Sequence, residues 1–260
     1  MVSALEQKQG SADVAAISVE DVAADYGAGP VVSGVSFTVK SGEVFGLMGL
    51  NGAGKTTLIK IMLGLMEASA GQARLFGNDT LHAKAKSKIA YLPEKFEPPP
   101  FLTGMEFIRF SLDLYKRPYV AADVLEAADR LQLARDALSR RVNTYSKGMR
   151  QKTGLMGTWL TGCPLLILDE PMSGLDPRAR VRVKDEIMAC REKGMTVFLS
   201  SHILADMDEI CDRVAVIHNG QQVFTGTPSA MKADTGQDYL ERAFLHVIDN
   251  AQGKPDSEEV

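Results

Sequence analysis

The 260-residue sequence predicts an α/β protein with a mainly parallel core sheet, an N-terminal antiparallel β subdomain and an inserted α-helical subdomain. Leu165 to Leu168 are consecutive large aliphatic residues, which is typical of a strand buried on both faces of a parallel sheet. Ile17 to Val22 and Val31 to Val39 instead alternate apolar and small polar residues, as strands of an antiparallel sheet do. Helical spacing with no strand pattern between the segments is present in Gly104 to Tyr115, Val120 to Leu133 and Ala134 to Arg141, which predicts helices inserted between core strands.

The composition is that of a globular chain able to bury a sizeable core, with 45% hydrophobic and 24% charged residues. The net charge is −4 and the isoelectric point is near 5.7. This balance argues against general nucleic-acid binding, so no nucleic-acid partner is expected. The 3 cysteines are odd in number and match no metal spacing. They indicate reduced thiols of a cytosolic protein, and no zinc site is expected.

The sequence contains no segment that predicts a membrane crossing. Its most apolar stretch, Leu155 to Leu168, is interrupted by glycine, threonine and proline and falls short of the roughly 18 apolar residues that a spanning helix needs. Met1 to Asp13 lacks the basic start and apolar segment of a signal peptide. We expect residues 1–16 to form a flexible lead-in.

A glycine-rich turn follows the first predicted core strand, Val44 to Met48, and runs from Gly49 to Thr57. Residues without side chains allow backbone N–H groups to approach a phosphate closely, and the helix that begins near this turn adds free donors and the positive end of its dipole. The Lys55 ammonium is expected to reach the β- and γ-phosphates, and the Thr56 hydroxyl to bind Mg²⁺. The turn therefore predicts a nucleoside triphosphate site.

The elements after this turn alternate between helix and strand. Thr57 to Met66 predicts a helix that is apolar nearly all round and packs inside. Gly71 to Phe76 and Ile89 to Leu92 predict further strands. Glu97 to Leu102 contains three prolines, which predict a stiff connector leading into a helical subdomain at about residues 102–160.

The second half of the chain continues this alternation up to a predicted C-terminal helix and polar tail over residues 236–260. The predicted elements are a helix from Ala134 to Arg141, a helix capped by Ser146 that ends near Trp159, a helix from Arg178 to Arg191, a strand from Thr196 to Ser200, and a hairpin of Val214 to Ile217 with Gln221 to Phe224 around Asn219-Gly220.

Two acids, Asp169 and Glu170, end the all-aliphatic strand. A carboxylate is costly at such a position unless it meets a cation, so Asp169 is expected to hold Mg²⁺ directly or through water. Glu170 is placed to orient and deprotonate a water that attacks the γ-phosphate. Two acids that only cap a turn are the alternative. His202, after the next core strand, fits a structural cap and a catalytic role equally well.

Together with Tyr145-Ser146-Lys147-Gly148-Met149 and Ser173-Gly174-Leu175-Asp176, these motifs resemble those of an ATP-binding cassette ATPase. The resemblance covers about residues 17–230 and has the family's motif order and approximate spacing. It implies a P-loop NTPase cassette fold, with the ATPase domain at residues 17–235.

The resemblance also implies roles for individual residues in binding ATP and Mg²⁺. Tyr26 would stack on adenine, although a half-buried turn tyrosine is the alternative. The other nucleotide-binding residues implied are Asn51, Gly52, Ala53, Gly54, Lys55, Thr56, Thr57 and Glu94 of one copy, with Ser146, Gly148 and Asp176 of a second copy. The catalytic residues implied are Lys55, Glu170 and His202, and the Mg²⁺ ligands are Thr56, Glu94 and Asp169.

The sequence departs from the family pattern at two places. The usual Leu-Ser-Gly-Gly-Gln is replaced by the segment from Tyr145 to Met149, which keeps the serine and the second glycine but loses the glutamine. Glu94 stands where the family normally has glutamine. One extra negative charge about 6 Å from a phosphate opposes binding by about 3 kcal/mol at an effective dielectric near 20. A carboxylate binds Mg²⁺ better than an amide, so we hypothesise that Glu94 makes activity more dependent on Mg²⁺.

These features predict a cytosolic ATPase subunit that dimerises with a second copy around two ATP molecules. It would drive a separate membrane permease of exporter type from the inner face of the cell membrane, with the permease docking near Glu94 to Tyr115, where Phe101 and Leu102 are presented. Ordinary subdomain packing is the alternative for those two side chains. A soluble cassette ATPase not coupled to transport and a regulatory nucleotide-binding module with little turnover are the alternative functions.

Overall fold

The computed structural model describes residues 15–27 and 29–252. The predicted lead-in before residue 15, Ala28 in the first predicted turn, and the predicted tail from residue 253 onward lie outside the described residues. Within them the strands are β1 (Ile17–Asp25), β2 (Pro30–Val39), β3 (Val44–Met48), β4 (Ala70–Leu75), β5 (Asn78–Asp79), β6 (Ile89–Leu92), β7 (Leu165–Asp169), β8 (Thr196–Ser200), β9 (Arg213–His218) and β10 (Gln221–Gly226). The helices are α1 (Lys55–Met62), α2 (Ala83–Lys86), α3 (Gly104–Leu114), α4 (Ala121–Arg130), α5 (Lys147–Trp159), α6 (Pro177–Glu192), α7 (Leu204–Ile210), α8 (Pro228–Thr235) and α9 (Leu240–Ala251).

The core sheet has the strand order β10-β9-β3-β8-β7-β6, and every neighbouring pair is parallel except β10 with β9. All residues of β3, β7 and β8 are buried. Strands covered on both faces must be apolar on both faces, which explains the aliphatic run that predicted β7. The mainly parallel core sheet is confirmed.

The second sheet is antiparallel and has the order β2-β1-β4-β5, which confirms the predicted antiparallel segment. The rings of Phe37 in β2, Phe45 in β3 and Phe198 in β8 stack between the two sheets, with centroids 5.2 to 6.2 Å apart. This contact contributes to the apolar core that joins the antiparallel sheet to the face of the core sheet next to α1.

Helix α1 is shorter than predicted, because it ends at Met62 and not at Met66. Gly64 follows with a positive φ of 61°, and a Cβ there would lie 2.3 Å from the Thr80 carbonyl oxygen. Leu65 is consequently 67% exposed, so the prediction of an inward-packed helix is wrong for its last turn. An apolar spacing alone does not reveal where a left-handed glycine ends a helix.

The segment between β6 and β7 contains α3, α4 and α5 and no strand, as predicted. The predicted helix from Ala134 to Arg141 is wrong, because the chain forms short 3₁₀ turns at Arg135–Ser139 and Val142–Thr144. Apolar side chains of α3 and α5, including Phe107 and Leu155, share one core with β6. The subdomain boundaries near 102 and 160 stay a prediction.

The C-terminal part begins with the predicted hairpin of β9 and β10, which is confirmed, with Asn219 and Gly220 both at positive φ. Helix α9 confirms a helix within 236–260, and its buried Leu240 and Phe244 belong to the same core as α5. In the part of the chain that the structure describes, no helix combines the length and the apolar content required for a membrane crossing.

Candidate functional site

The carboxyl edge of the core sheet carries a cavity of about 490 Å³, which we call the site cavity. Its lining residues are Val31, Asn51, Gly52, Ala53, Gly54, Lys55, Thr56, Thr57, Glu94, Lys95, Asp169, Glu170 and His202. The ends of parallel strands meet at one edge, so β3, β6, β7 and β8 bring residues distant in sequence together there. The structure therefore places the glycine-rich turn, both acids, Glu94 and His202 around one space.

Two glycines of the turn are required by contacts within the chain. A Cβ on Gly49 would lie 2.5 Å from the Ile217 carbonyl oxygen, and a Cβ on Gly54 would lie 2.9 Å from the Val31 carbonyl oxygen. Gly54 also has a φ of 106° and caps α1. Packing within the chain therefore requires glycine at these two positions, and the close approach of a phosphate that the sequence predicts there stays a prediction.

The Lys55 side chain is buried at the start of α1, and its ammonium donates to the carbonyl oxygens of Gly49 (2.6 Å) and Leu50 (3.2 Å). Burial lowers the pKa of Lys55, while the negative charges of Glu170, Asp169 and Glu94 act in the opposite direction. An anion in the site cavity would stabilise this buried cation.

Asp169 ends β7 and is 3% exposed. It lies opposite Ser200 of β8 in parallel register, and the Ser200 hydroxyl donates to Asp169 Oδ1 at 2.5 Å. Burial raises the pKa of Asp169, and the nearby carboxylates of Glu94 and Glu170 raise it further, whereas the Ser200 bond and Lys55 lower it. A cation would stabilise the ionised form.

Glu170 adopts a left-handed backbone with φ 50°, which is uncommon for a residue other than glycine. Its N–H donates to the carbonyl oxygen and the hydroxyl of Ser200, at 3.2 and 3.1 Å. Glu170 is buried, and its carboxylate oxygen Oε2 lies 2.8 Å from Nδ1 of His202. An ionised carboxylate only accepts hydrogen bonds, so Nδ1 carries the proton and Nε2 is left for a second partner.

The remaining sequence-predicted residues lie outside the site cavity. The Tyr26 hydroxyl is 3.4 Å from Thr57 Oγ1, beside the glycine-rich turn, and 57% of Tyr26 is exposed. Ser146 caps α5 by accepting from Met149 N–H at 3.2 Å, which confirms it as an N-cap. Asp176 caps α6 in the same manner. One chain thus does not bring Ser146, Gly148 or Asp176 to the residues around Lys55.

Sequence reasoning missed three residues that shape the site. Lys95 lines the cavity and follows Glu94 directly in the sequence, so it adds a positive charge to the lining. Ser200 bonds to both acidic positions, and its place at the end of a buried strand was the available signal. Gly220 in the hairpin turn donates to the Ala53 carbonyl oxygen and accepts from Ser33, which braces the glycine-rich turn, and no sequence pattern indicated this contact.

The oxygen donors in the site cavity suit a hard cation that brings further ligands with it. Thr56 offers a hydroxyl, and Asp169 and Glu94 offer carboxylates. No group of three or more His, Cys, Asp or Glu side chains within residues 15–27 and 29–252 could hold a metal ion on its own. This is the donor set expected where phosphate oxygens complete the coordination of Mg²⁺.

The fold and the placement of these motifs define the class of P-loop NTPase cassettes. Comparison with known proteins gives the family: residues 32–173 match the family model of the ABC transporter. A solved ATP-binding subunit of an ABC transporter has 31% sequence identity and a TM-score of 0.81, over 89% of this chain and 98% of that one. The chain therefore belongs to the ABC transporter family, as its ATP-binding cassette.

Curated relatives agree with this assignment. An uncharacterized ABC transporter ATP-binding protein of Synechocystis is 40% identical over 196 residues, which are 74% of this chain. The match spans only 55% of that relative's own length. The linearmycin resistance ATP-binding protein LnrL of Bacillus subtilis is 32% identical over 244 residues, 90% of this chain and 76% of LnrL.

Proposed function

We propose that this chain binds ATP with Mg²⁺ in the site cavity and hydrolyses it to ADP and phosphate. The observation that carries the proposal is the meeting of Lys55, Asp169, Glu170 and His202 around one cavity at the end of a glycine-rich turn. Burial disfavours the charged forms of both Lys55 and Asp169. A phosphate near Lys55 and a cation near Asp169 would each offset the desolvation free energy of that buried charge.

Different groups of the chain would have different roles in phosphoryl transfer to water. The backbone of residues 49–57 and the Lys55 ammonium would hold the phosphates, and Tyr26 would stack on adenine. Glu170 would orient the attacking water and accept its proton, while His202 would contact the γ-phosphate through Nε2. Thr56, Asp169 and Glu94 would hold Mg²⁺, which when bound would neutralise charge on the phosphate oxygens.

The test is Lys55→Met, measured by binding of a fluorescent ATP analogue with Mg²⁺ and by phosphate release. Lys60→Met is the matched control, because Lys60 lies on the same helix and is exposed. We expect Lys55→Met to weaken binding about tenfold or more and to abolish turnover, since it removes a charge-assisted bond. Equal behaviour of both variants would contradict the proposal. Tight binding without turnover in the wild-type chain would favour the regulatory module.

We further propose that two copies close around two ATP molecules, with Ser146, Gly148 and Asp176 of one copy contacting the nucleotide of the other. These residues lie outside the cavity of their own chain. Among the residues that the structure describes outside the backbone of α5, a Cβ on Gly148 would contact Leu175 Cδ2 at 3.5 Å and the Gly174 carbonyl oxygen at 3.6 Å, and neither distance requires glycine. Close approach of a partner's nucleotide would supply the missing reason.

Sedimentation velocity of the Glu170→Gln variant tests the dimer, because slowed hydrolysis would preserve the ATP-bound state. Addition of ATP and Mg²⁺ should convert the monomer to a dimer. The same experiment with Glu170→Gln and Gly148→Glu combined should leave a monomer that still binds the ATP analogue, since the added carboxylate would repel the partner's γ-phosphate. A dimer that persists in the double variant, or that never forms with Glu170→Gln alone, would refute the arrangement.

We propose, finally, that the chain powers a separate membrane permease of exporter type from the cytoplasmic face. The relative LnrL is named a linearmycin resistance ATP-binding protein. A groove of about 200 Å³ between β6, α3 and α5 is lined by Tyr91, Phe96, Phe110 and Leu114. Phe101, Phe110 and Leu114 are exposed large apolar side chains, and this surface would receive a cytoplasmic helix of the permease.

Copurification of the tagged full chain in mild detergent tests this coupling. A membrane protein should copurify with the wild-type chain and be lost with Phe110→Glu. Leu65→Glu is the control, since Leu65 is an exposed apolar residue distant in sequence from this groove. Recovery of no membrane protein with the wild-type chain would favour the soluble ATPase that is not coupled to transport.

A further inference from the structure

Gln151 of α5 is a buried polar residue that the functional roles above leave unused. Gln151 is 4% exposed, and its side-chain amide donates to the Pro171 carbonyl oxygen at 3.0 Å. Proline has no backbone N–H, so this carbonyl is the only backbone group through which Pro171 can be held by a hydrogen bond. Pro171 directly follows Glu170, and Gln151 therefore fixes the chain one residue beyond the proposed general base.

The backbone of Glu170 needs such support. A left-handed conformation at a glutamate persists only where its surroundings hold it. At its own two peptide groups, the Glu170 N–H donates to Ser200, and the Glu170 carbonyl oxygen accepts from the Ser173 N–H at 3.0 Å. The next carbonyl oxygen along the chain, that of Pro171, accepts from Gln151, which lies on helix α5 and not in the loop after β7.

A second contact joins the same helix to the same loop. Lys147 lies one turn before Gln151, and residues four apart share a helix face. Its ammonium lies 3.3 Å from the Ser173 hydroxyl, and a Cβ on Gly174 would approach the Lys147 Cδ to 2.7 Å. The first turns of α5 thus lie directly against residues 171–174.

We propose that Gln151 is a positioning residue that ties the placement of Glu170 to the position of α5. The inference deepens the proposed function and depends on it. Ser146 and Gly148, which would contact the nucleotide of a second copy, are at the start of the helix that carries Gln151. Engagement of the second copy would therefore reach Glu170 through α5, with the buried hydrogen bond from Gln151 to Pro171 as the contact nearest to Glu170 in the sequence. Hydrolysis would be sensitive to whether the two copies have closed.

The test is Gln151→Met, which keeps the side-chain length and removes the donor. We expect kcat for ATP hydrolysis to fall roughly tenfold with KM and ATP-analogue binding within about twofold, because the residue acts on the base and not on the nucleotide. Thr153→Val is the matched control, since Thr153 is also buried in α5 and its hydroxyl donates to the Met149 carbonyl oxygen of its own helix. It should retain the wild-type kcat.

A merely structural role is distinguished by repeating Gln151→Met in the Glu170→Gln background with single-turnover kinetics. If Gln151 acts through Glu170, the second substitution should change the residual rate by less than about twofold. A tenfold loss in both backgrounds, an unchanged kcat for Gln151→Met, or an equal loss for Thr153→Val would each overturn the inference.

Gln151→Asn serves as a second variant where the methionine substitution fails to fold, since it keeps an amide on a side chain one methylene shorter. It should show the same fall in kcat with KM retained, and a wild-type kcat would overturn the inference. An inactive wild-type chain is a different result, because it would overturn the proposed function and the role of Gln151 with it.

Discussion

Nδ1 of His202 lies 2.8 Å from Oε2 of Glu170. The two residues follow neighbouring parallel strands, β8 and β7, so the pair is set by the register of the core sheet. Glu170 is 7% exposed, whereas the His202 side chain is 57% exposed. The contact therefore links a buried carboxylate to a side chain that reaches into the open part of the site cavity.

We predict that His202→Ala lowers kcat by about 10²-fold, because Glu170 loses the donor that orients it and the γ-phosphate loses a contact. Binding of the ATP analogue should change little, since residues 49–57 would supply most of the phosphate contacts in the proposed site. Phosphate release and analogue titration measure the two quantities. His82→Ala, at an exposed histidine without a side-chain capping bond, is the control and should behave as the wild type does. A normal kcat in His202→Ala would remove His202 from the mechanism.

We predict that Asp169→Asn stabilises the nucleotide-free chain. Burial raises the pKa of Asp169 above its ordinary value of 3.8, so the folded chain binds this proton more tightly than the unfolded chain does. The free energy of unfolding contributed by this group therefore falls as pH rises from the ordinary pKa to the raised one, and stays lower above it. The asparagine has no charge to bury, and its Oδ1 can still accept from Ser200.

The expected rise in Tm at neutral pH is roughly 2–4 °C, the shift that about 1 kcal/mol gives in a domain of this size. The Tm increment produced by ATP and Mg²⁺ should shrink in the same variant, because the carboxylate is lost. Asp176→Asn is the comparison. Backbone N–H groups, that of Ala179 foremost, lower the pKa of Asp176, so its charge is favoured in the fold and its removal should not raise Tm. A lower Tm for Asp169→Asn would contradict the account of this buried charge.

We predict that Glu94→Gln changes the Mg²⁺ dependence of ATP hydrolysis and shifts half-maximal activity to a higher Mg²⁺ concentration, because an amide binds Mg²⁺ less well than a carboxylate does. The structure places Glu94 in the wall of the site cavity, beside Lys95. We expect the gain in Mg²⁺ binding from a carboxylate ligand to be larger than the repulsion between Glu94 and the phosphates, to which the positive charge of Lys95 in the same lining is opposed. Glu97→Gln, at an exposed glutamate outside the cavity lining, is the control. An unchanged Mg²⁺ titration for Glu94→Gln would refute the hypothesis.

Much of the fold could be predicted because strong local signals coincide with the real elements. The aliphatic run of β7 and the Ser146 cap of α5 are both decided by residues adjacent in sequence. The end of α1 and the 3₁₀ turns after α4 were mispredicted, because a left-handed Gly64 and packing against distant backbone override apolar spacing there.

In the candidate site, too, features set by adjacent residues could be predicted, and contacts between residues distant in sequence could not. The placement of Lys55, Asp169 and Glu170 around one cavity could be predicted, because each lies in a glycine-rich turn or at a strand end, and their roles stay predictions. The bonds made by Ser200 and Gln151 could not, because each joins residues 20 or more positions apart in the sequence. Only the strand register and the packing of α5 bring those atoms together.

Phosphate release by Glu170→Gln, measured beside ATP-analogue binding by the same protein, tests the central claim most directly. Glutamine keeps the size of the side chain but removes the base, while the cavity lining and Lys55 are retained. We predict a loss of hydrolysis on the order of 10²-fold or more with analogue affinity close to that of the wild type. Turnover equal to that of the wild-type chain would show that Glu170 is not the general base, and would contradict the account.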